Sequence, residues 1–377
     1  MFHKKVELTE LFYDLVFVYA ISQMTSLIHH LHEGVVTMGA FLSFLVALLV
    51  LVNTWMLQMV YTNRYGKNSF RNIAFMLVSM MMVLALSHTF TTNWAEGTQF
   101  YSFILLVAGL TVVPLLQYFW EFFRAKDANN RRFTRFYILM LTARLILLLL
   151  SLLFPFSIAA TLSFIVILTT TLTPLIFTKL LSEVPINFPH IIERLSLLVI
   201  ITFGEMLIGI APYFKPSLFS WNSIWIFLIV ANLFMFYIVE IDHLIDEKKK
   251  NITGNALIYY HYPIFTGLGM ITVSLSFFRD EEVGHNFLLL FLFAGLSLFY
   301  AGVLLSSLYN KKEHRLQGKW LIGMIATFVI GFVVTTFYQE KLNSLLVWTS
   351  LVTLALTVIL IVFNVTRQSH TELEKKF

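Results

Sequence analysis

Two acidic side chains lie at the start of the first long apolar stretch of the chain. Glu10 and Asp14 are four residues apart in the run 10–20, which is otherwise almost entirely apolar. Residues at this spacing share one face of an α-helix, so both carboxylates are predicted to point the same way. A carboxylate inside a bilayer is costly and is retained where it has a partner or a water-filled cavity. We therefore expect another part of the chain to receive this face.

A second stretch, 190–206, also combines charged residues with apolar sequence. Glu193 and Arg194 are adjacent, so they cannot face each other along a helix, and each is predicted to have its partner elsewhere. Glu205 lies deeper in the stretch, beside Gly204, which we interpret as allowing close helix approach. A carboxylate at that depth suits proton coupling. The alternative is a protonated Glu205 that hydrogen-bonds a neighbouring helix.

Arg144 lies in the middle of a third apolar stretch, where its side chain is far from either membrane surface. An uncompensated guanidinium is costly at that depth. We therefore expect it to pair with Asp14, Glu193 or Glu205. Such a pair is either a structural clasp or a charge that is released during a transport cycle, and the sequence leaves both open.

Asparagine and histidine side chains are weaker candidates. Asn53 and Asn232 fall at matching depths in two apolar stretches and are predicted to hydrogen-bond across helices, with a structural role favoured over ligand binding. His261 opens a later stretch. His29 and His32 share a helix face, which raises a metal site as an alternative, but no second carboxylate is placed to complete the coordination. We expect no metal.

Composition places the chain in the membrane. Of its 377 residues, 58% are apolar and 12% are charged, compared with about 25% charged in a typical soluble domain. The mean hydropathy is +0.79. The absence of cysteine excludes disulfides and thiolate metal sites. The sequence has no H-E-x-x-H, G-x-S-x-G, P-loop or Rossmann motif, so neither enzymatic activity nor a cofactor is predicted.

Apolar stretches of about 20 residues predict an all-α polytopic protein with twelve transmembrane helices. Their predicted positions are 8–31, 36–60, 70–89, 98–122, 134–154, 157–178, 190–211, 218–240, 255–277, 286–308, 319–337 and 343–364. Lys and Arg concentrate on alternate loops, and the opposite side has only Lys215, Arg279 and Lys341. This asymmetry predicts that both termini are cytoplasmic.

The net charge of +5 is therefore attributed to topology, and no nucleic-acid partner is expected. The basic runs 124–135 and 248–250 raise lipid-headgroup or nucleic-acid sites as alternatives. We interpret them as orientation determinants that are attracted to anionic lipid.

Three short motifs recur in the same order and at nearly the same spacing, which indicates an internal repeat. Each first copy and its recurrence are 10–16 with 193–199, 53–56 with 232–235, and 106–110 with 292–296. We expect two parallel six-helix repeats, 1–182 and 183–366, followed by a short, frayed cytoplasmic tail, 367–377. A site between the halves is typical of such folds. Two bundles that pack without a shared cavity are the alternative.

Two longer motifs resemble a known family. The run Glu10–Val18 matches an E-L-F-[FY]-D-L-V-F-V first span. A later E-R-x5-I-I-x-x-G-E motif is matched by Glu193, Arg194, Ile200, Ile201, Gly204 and Glu205. Smaller matches are Asn63 with Arg64, and His261 with Pro263 and Gly267.

Along essentially its whole length the chain is similar to the low temperature requirement protein A family of bacterial membrane proteins. It departs from the family pattern at Ser276, where an acid is expected. The resemblance implies a multi-pass protein of the bacterial cytoplasmic membrane. The family name refers to growth at low temperature, so the resemblance implies no biochemical activity.

A fainter similarity is to two-repeat potassium channels whose first span carries F-S-D followed by V-F-A-I. Phe12, Asp14, Val16 and Phe17 match that pattern. Tyr13 replaces the serine, and Leu197 stands where a repeated aspartate is expected.

These observations favour a proton- or cation-coupled secondary transporter, with Asp14, Glu193 and Glu205 as coupling groups and Arg144 as counter-charge. The alternatives are a non-transporting membrane factor that binds lipid or a partner protein, and a passive cation channel. The expected partners are the lipid bilayer, an unknown small solute or ion, and a second copy in a homo-oligomer. The candidate site residues are Glu10, Asp14, Arg144, Glu193, Arg194, Glu205, Asn53, Asn232 and His261.

Overall fold

The computed structural model describes residues 4–95, 98–249, 254–316, 318–339 and 341–374, with the backbone only from 368 to 374. These residues form helices and short turns without a β-strand. The helices of 18 or more residues are α1 (Leu8–Ser26), α2 (Met38–Tyr65), α3 (Phe70–Ser87), α4 (Gln99–Arg124), α5 (Ala128–Ser151), α6 (Phe156–Ile176), α7 (Phe188–Ile210), α8 (Trp221–Ile238), α9 (Asn255–Phe277), α10 (His285–Ser306), α11 (Lys319–Phe337) and α12 (Leu342–Glu374).

Polar residues mark where several of these apolar helices begin. The side chains of Thr37, Ser69 and Asp127 accept hydrogen bonds from backbone N–H groups in the first turns of α2, α3 and α5. Such caps satisfy donors that have no partner within the helix. The Oε2 atom of Glu10 accepts from the backbone N–H of Glu7 at 3.2 Å, which ties this carboxylate to the start of α1.

Ten helices in the described residues are long and apolar enough to cross a membrane. The predicted spans at 8–31 and 255–277 coincide with α1 and α9, which are not among the ten. Polar residues such as Asp14 and His261 lower the hydropathy of these two helices. The fold is therefore an all-helical membrane fold with at least ten candidate spans, and the twelve-span count and the orientation of the termini stay predictions.

The chain divides into two compact units. The first unit comprises 1–30, 37–201 and 248–259, so it contains α1 to α6, the first part of α7 and the first residues of α9. Within it, α1 packs on α2 and α3, and α4 packs on α2, α3 and α5. Because α4 and α5 are joined by three residues, they run antiparallel.

The second unit comprises 31–36, 202–247 and 260–377. Within it, α12 packs on α8 and α11, and a π-helical segment, Val239–Leu244, continues α8 and contacts α10 and α12. The units divide inside α7, at 201 and 202, and inside α9, at 259 and 260. The predicted repeats divide instead at 182 and 183. The repeat itself stays a prediction.

The prediction of a frayed tail was wrong for the described residues, because α12 continues as a helix to Glu374. The segment after Asn364 is polar, but nothing in it breaks a helix, since it has no glycine and no proline.

Close helix approach in the second unit depends on glycines of α9 and α10. A Cβ atom on Gly267 would lie 2.5 Å from the Gly295 carbonyl oxygen, and one on Gly302 would lie 2.7 Å from the Tyr260 carbonyl oxygen. The backbones of α9 and α10 are therefore nearly in contact. By contrast, a Cβ atom on Gly204 would meet no atom of the described residues within 4 Å. The expectation that Gly204 allows close helix approach was wrong.

We predict that Gly267→Ala destabilises the protein, because the new methyl group must displace backbone atoms. The expected loss is about 1–3 kcal/mol, as for an overpacked core. The midpoint of thermal unfolding of the purified protein in detergent is the measurement. Gly204→Ala is the matched control and should leave the midpoint unchanged or raise it, since alanine favours a helix over glycine. Equal effects of the two substitutions would contradict the close approach.

Candidate functional site

Arg194 of α7 holds Asp14 of α1 in a two-point ion pair. Its Nε donates to Oδ2 at 2.9 Å and its NH2 donates to Oδ1 at 2.6 Å. Both side chains are buried, with exposed fractions of 0% and 1%. Trp55 of α2 also donates its indole N–H to Oδ1 at 2.7 Å, and the Arg194 guanidinium lies 5.6 Å from its ring centroid. The fork geometry of arginine fits a carboxylate at two points, which strengthens the pair.

Glu10 lies one helical turn before Asp14, and it is also buried. Its Oε2 atom is 2.9 Å from His190 Nε2 and 3.6 Å from Arg194 NH1. Its Oε1 atom is 3.7 Å from Lys4 Nζ. The predicted shared face of Glu10 and Asp14 is thus received by α7, together with the segment that precedes α1.

The hydrogen bonds around Asn63 define the protonation of His190. Asn63 Oδ1 accepts from the backbone N–H of Asn187, so its amide nitrogen is a donor, and it bonds both the Asn187 carbonyl at 2.8 Å and His190 Nδ1 at 3.1 Å. His190 Nδ1 must therefore accept a hydrogen bond, which leaves Nε2–H to donate to Glu10. This pattern assigns a neutral imidazole.

We call Lys4, Glu10, Asp14, His190 and Arg194 the charge cluster. With His190 neutral, its two cations and two anions balance. Lys4 lies outside the helices, where burial lowers the pKa of its ammonium and the Glu10 carboxylate opposes this effect; Lys4 also donates to the Thr62 carbonyl. Balance matters because a single uncompensated charge in this interior is strongly destabilising.

A small cavity reaches the cluster at Glu10. It has a volume of about 20 Å³ and is lined by polar groups that include Glu7, Thr62 and Asn72. That space holds about one water molecule. A larger solute does not fit in this space.

Of the candidates in the first unit, the structure brings together Glu10, Asp14 and Arg194. Arg144 donates a hydrogen bond to Asn53 Oδ1 across α5 and α2. Of the three partners expected for Arg144, Asp14 was wrong, because Arg194 and Trp55 hold that carboxylate. The pairings with Glu193 and Glu205 stay predictions.

Glu193, adjacent to Arg194, is half-buried, and the hydrogen bonds of the cluster are formed without it. No group of three or more His, Asp or Glu side chains in the described residues could hold a metal ion.

The remaining candidates lie in the second unit. Asn232 makes the expected interhelical bonds from α8 to α12, donating to Thr353 Oγ1 at 3.2 Å and approaching the Ser350 carbonyl at 3.5 Å. His261 is fully buried, and its Nε2 lies 3.0 Å from the Tyr237 hydroxyl. Glu205 is buried with an exposed fraction of 8%. Asn232 and His261 therefore hydrogen-bond different partners, on different helices.

Sequence reasoning missed His190, Asn63, Trp55 and Lys4 as members of the site. A usable pattern was present for His190, because it lies four residues before Arg194 and therefore on the same helix face.

Sequence reasoning also missed Glu240, which is fully buried in the π-helical segment of the second unit. Neither of its carboxyl oxygens has a hydrogen-bond partner of good geometry among the described residues. Such a segment inside a membrane helix often marks a functional site.

The fold and this buried, charge-balanced cluster define an integral membrane protein built from many apolar helices. The family model described as "Bacterial low temperature requirement A protein (LtrA)" matches residues 5–365. The chain therefore belongs to the LtrA family, and the resemblance seen in the two acidic motifs is confirmed. A comparison with curated proteins found no match to the chain.

We predict strong coupling between Asp14 and Arg194 in a double-mutant cycle. Arg194→Gln leaves both carboxylates short of a cation and should cost about 3–5 kcal/mol of unfolding free energy. In the double variant, Asp14→Asn with Arg194→Gln, the charges balance again. Its loss should be smaller than the sum of the single losses by at least about 1 kcal/mol.

Arg132→Gln is the control for that cycle. Arg132 pairs with Glu183 at 3.1 Å, but its side chain is 61% exposed. Its removal should change the unfolding free energy by less than about 1 kcal/mol, as for other surface pairs. Additive effects of the Asp14 and Arg194 substitutions would contradict a direct pair.

We predict that the neutral form of His190 carries its proton on Nε2. The ¹⁵N spectrum of protein labelled at histidine should show a protonated Nε2 and an unprotonated Nδ1, assigned by loss of the signals in His190→Gln. An imidazolium spectrum, or a proton on Nδ1, would overturn the hydrogen-bond assignment around Asn63.

Proposed function

We propose that this protein is a proton-coupled secondary transporter of the cell membrane, rather than an enzyme, and that Glu10 is its coupling carboxyl. The observation that carries the proposal is the contrast between two acids of one buried cluster. Asp14 is held by three hydrogen bonds of 2.6–2.9 Å, whereas Glu10 has longer contacts to both cations and borders a water-sized cavity. We assign proton exchange to Glu10 because it is the acid of the pair that borders this cavity.

Protonation of Glu10 changes the charge of the whole cluster. Without that negative charge, Lys4 and Arg194 face Asp14 alone, and the cluster has one positive charge in excess. A buried excess charge is costly, so the helices that hold it favour a rearrangement or the entry of an anion. This charge response is the coupling that a proton-driven carrier requires, because the ligand must interact differently with two states. Asp14 and Arg194 serve as the fixed clasp.

This assignment revises the roles expected from the sequence. Asp14 becomes a structural partner rather than a coupling group, and Arg194 replaces Arg144 as the counter-charge. Glu205 stays a second proposed coupling group, since it is buried in the second unit.

A second candidate function is supported by one observation. The charge cluster is fully paired and the space beside it is about 20 Å³, as in a protein whose buried charges only hold its helices together. In that case the protein is a non-transporting membrane factor.

The test uses a charge-neutral pair of substitutions in sealed proteoliposomes with a pH-sensitive dye inside. Glu10→Gln with Lys4→Gln removes one anion and one cation, so the cluster stays balanced and the protein should fold. We expect wild-type protein to acidify the lumen when a transported anionic solute is added outside. The double variant should lose this response by at least about tenfold, as expected when an essential proton-transfer group is removed.

The control is Glu183→Gln with Arg132→Gln, which removes an equally balanced pair at the surface. A folded Glu10/Lys4 variant with an unchanged response would remove Glu10 as the coupling group. A wild-type protein that acidifies the lumen with none of a broad set of solutes would favour the membrane factor. The passive cation channel is tested with a potassium gradient across the same vesicles and a protonophore added as trigger. A change in the dye signal that requires the protein would then show a passive cation conductance.

A further inference from the structure

A cavity with one basic and one apolar side opens between the end of α4 and the start of α5. Its volume is about 530 Å³. We call it the α4–α5 groove. The side chains that matter for its chemistry are three arginines and three apolar groups: Arg131, Arg132, Arg135, Phe119, Phe123 and Leu139.

The charged and apolar groups occupy different levels of the groove. The three arginines lie on the first two turns of α5, and Leu139 follows one turn later. On the antiparallel helix α4, Phe123 is near the end and Phe119 is one turn earlier. One turn is about 6 Å for four residues. The basic level is thus next to the connecting loop, with Phe123 beside it, and Phe119 and Leu139 lie further along two candidate membrane spans.

The arginines differ in the partners that they already have. Arg132 is paired with Glu183 at 3.1 and 3.2 Å. Arg131 uses its Nε to donate to the Ala125 carbonyl at 3.2 Å, which leaves its terminal N–H groups available. Arg135 has no hydrogen bond or ion pair with another residue in the described part of the chain. Two guanidinium groups can therefore take up a further anion.

The neighbouring acid Asp127 does not supply the anion for these two arginines. Its Oδ1 accepts a hydrogen bond from the backbone N–H of Asn130 at 2.8 Å, and its Oδ2 accepts one from the side-chain amide of Asn130 at 2.6 Å. These hydrogen bonds hold the pKa of Asp127 below its usual value, and they direct the carboxylate to the start of its own helix. The groove thus keeps its positive charge.

We propose that the α4–α5 groove binds an anionic phospholipid, with the phosphate on Arg131 and Arg135 and an acyl chain along Phe119, Phe123 and Leu139. Guanidinium groups bind phosphate oxygens at two points, which suits the basic level. The apolar side chains of the groove fit a hydrocarbon chain, whereas inorganic phosphate has no apolar part to contact them. A zwitterionic lipid brings its own cation to the basic level, so charge complementarity favours an anionic headgroup.

The test measures lipid binding by native mass spectrometry on the full-length protein in detergent. Dioleoylphosphatidylglycerol is titrated in parallel with dioleoylphosphatidylcholine. We expect wild-type protein to prefer phosphatidylglycerol, and Arg131→Gln with Arg135→Gln to weaken its binding by about tenfold, as for the loss of charge-assisted hydrogen bonds. Leu139→Ala with Phe119→Ala should also weaken it, because the acyl chain loses its wall.

The matched control is Arg124→Gln with Lys126→Gln, which removes two positive charges from the same surface region but outside the groove. It should leave the affinity within about twofold of wild type, since exposed charges act weakly. Equal loss in the control would mean diffuse attraction to the basic surface and would overturn the groove. So would equal affinity for the two lipids, or displacement of bound phosphatidylglycerol by millimolar inorganic phosphate alone.

Discussion

The cost of burying charge in an apolar interior is the constraint on which the site depends. Asp14 and Arg194 are almost completely buried, and either ion alone would be far less stable there than in water. Their two-point contact, together with the Trp55 indole N–H, supplies the compensation. Because these residues come from α1, α2 and α7, the compensation requires the three helices to be together. The ion pair thus joins two residues, Asp14 and Arg194, that are 180 positions apart in the sequence.

The same constraint gives the rest of the cluster its arrangement. Glu10 adds a second negative charge one turn away, and Lys4 restores the balance from the segment before α1. His190 then contributes hydrogen bonds rather than charge, because Asn63 occupies its Nδ1 as a donor. A cluster of this kind is stable in one protonation state and strained in the neighbouring ones. That property links a structural feature to the proposed function, in which proton binding moves helices.

Much of the fold could be predicted from the sequence, because long apolar stretches and their polar boundaries are local features. The stretches predicted to cross the membrane coincide with helices, and the shared face of Glu10 and Asp14 follows from the period of the helix. The two long helices outside the ten candidate spans, α1 and α9, carry the polar residues Asp14 and His261.

The pairing of charges could not be predicted, because it depends on how helices are rotated and staggered against each other. Arg144 and Arg194 were both available to Asp14, and only the packed structure assigns Arg194 to it and Asn53 to Arg144. Gly204 shows the same limit, since a small residue beside an acid indicates close approach only if another helix is there.

The most direct test of the central claim is infrared spectroscopy of the protein in lipid, comparing wild type with Asp14→Asn. The cluster requires Asp14 to be ionised inside the membrane domain. The difference spectrum should therefore show the loss of a carboxylate stretch, with no loss of the carbonyl stretch of a protonated acid. Loss of the carbonyl stretch instead would mean that Asp14 is neutral, and the charge-balanced cluster would be contradicted.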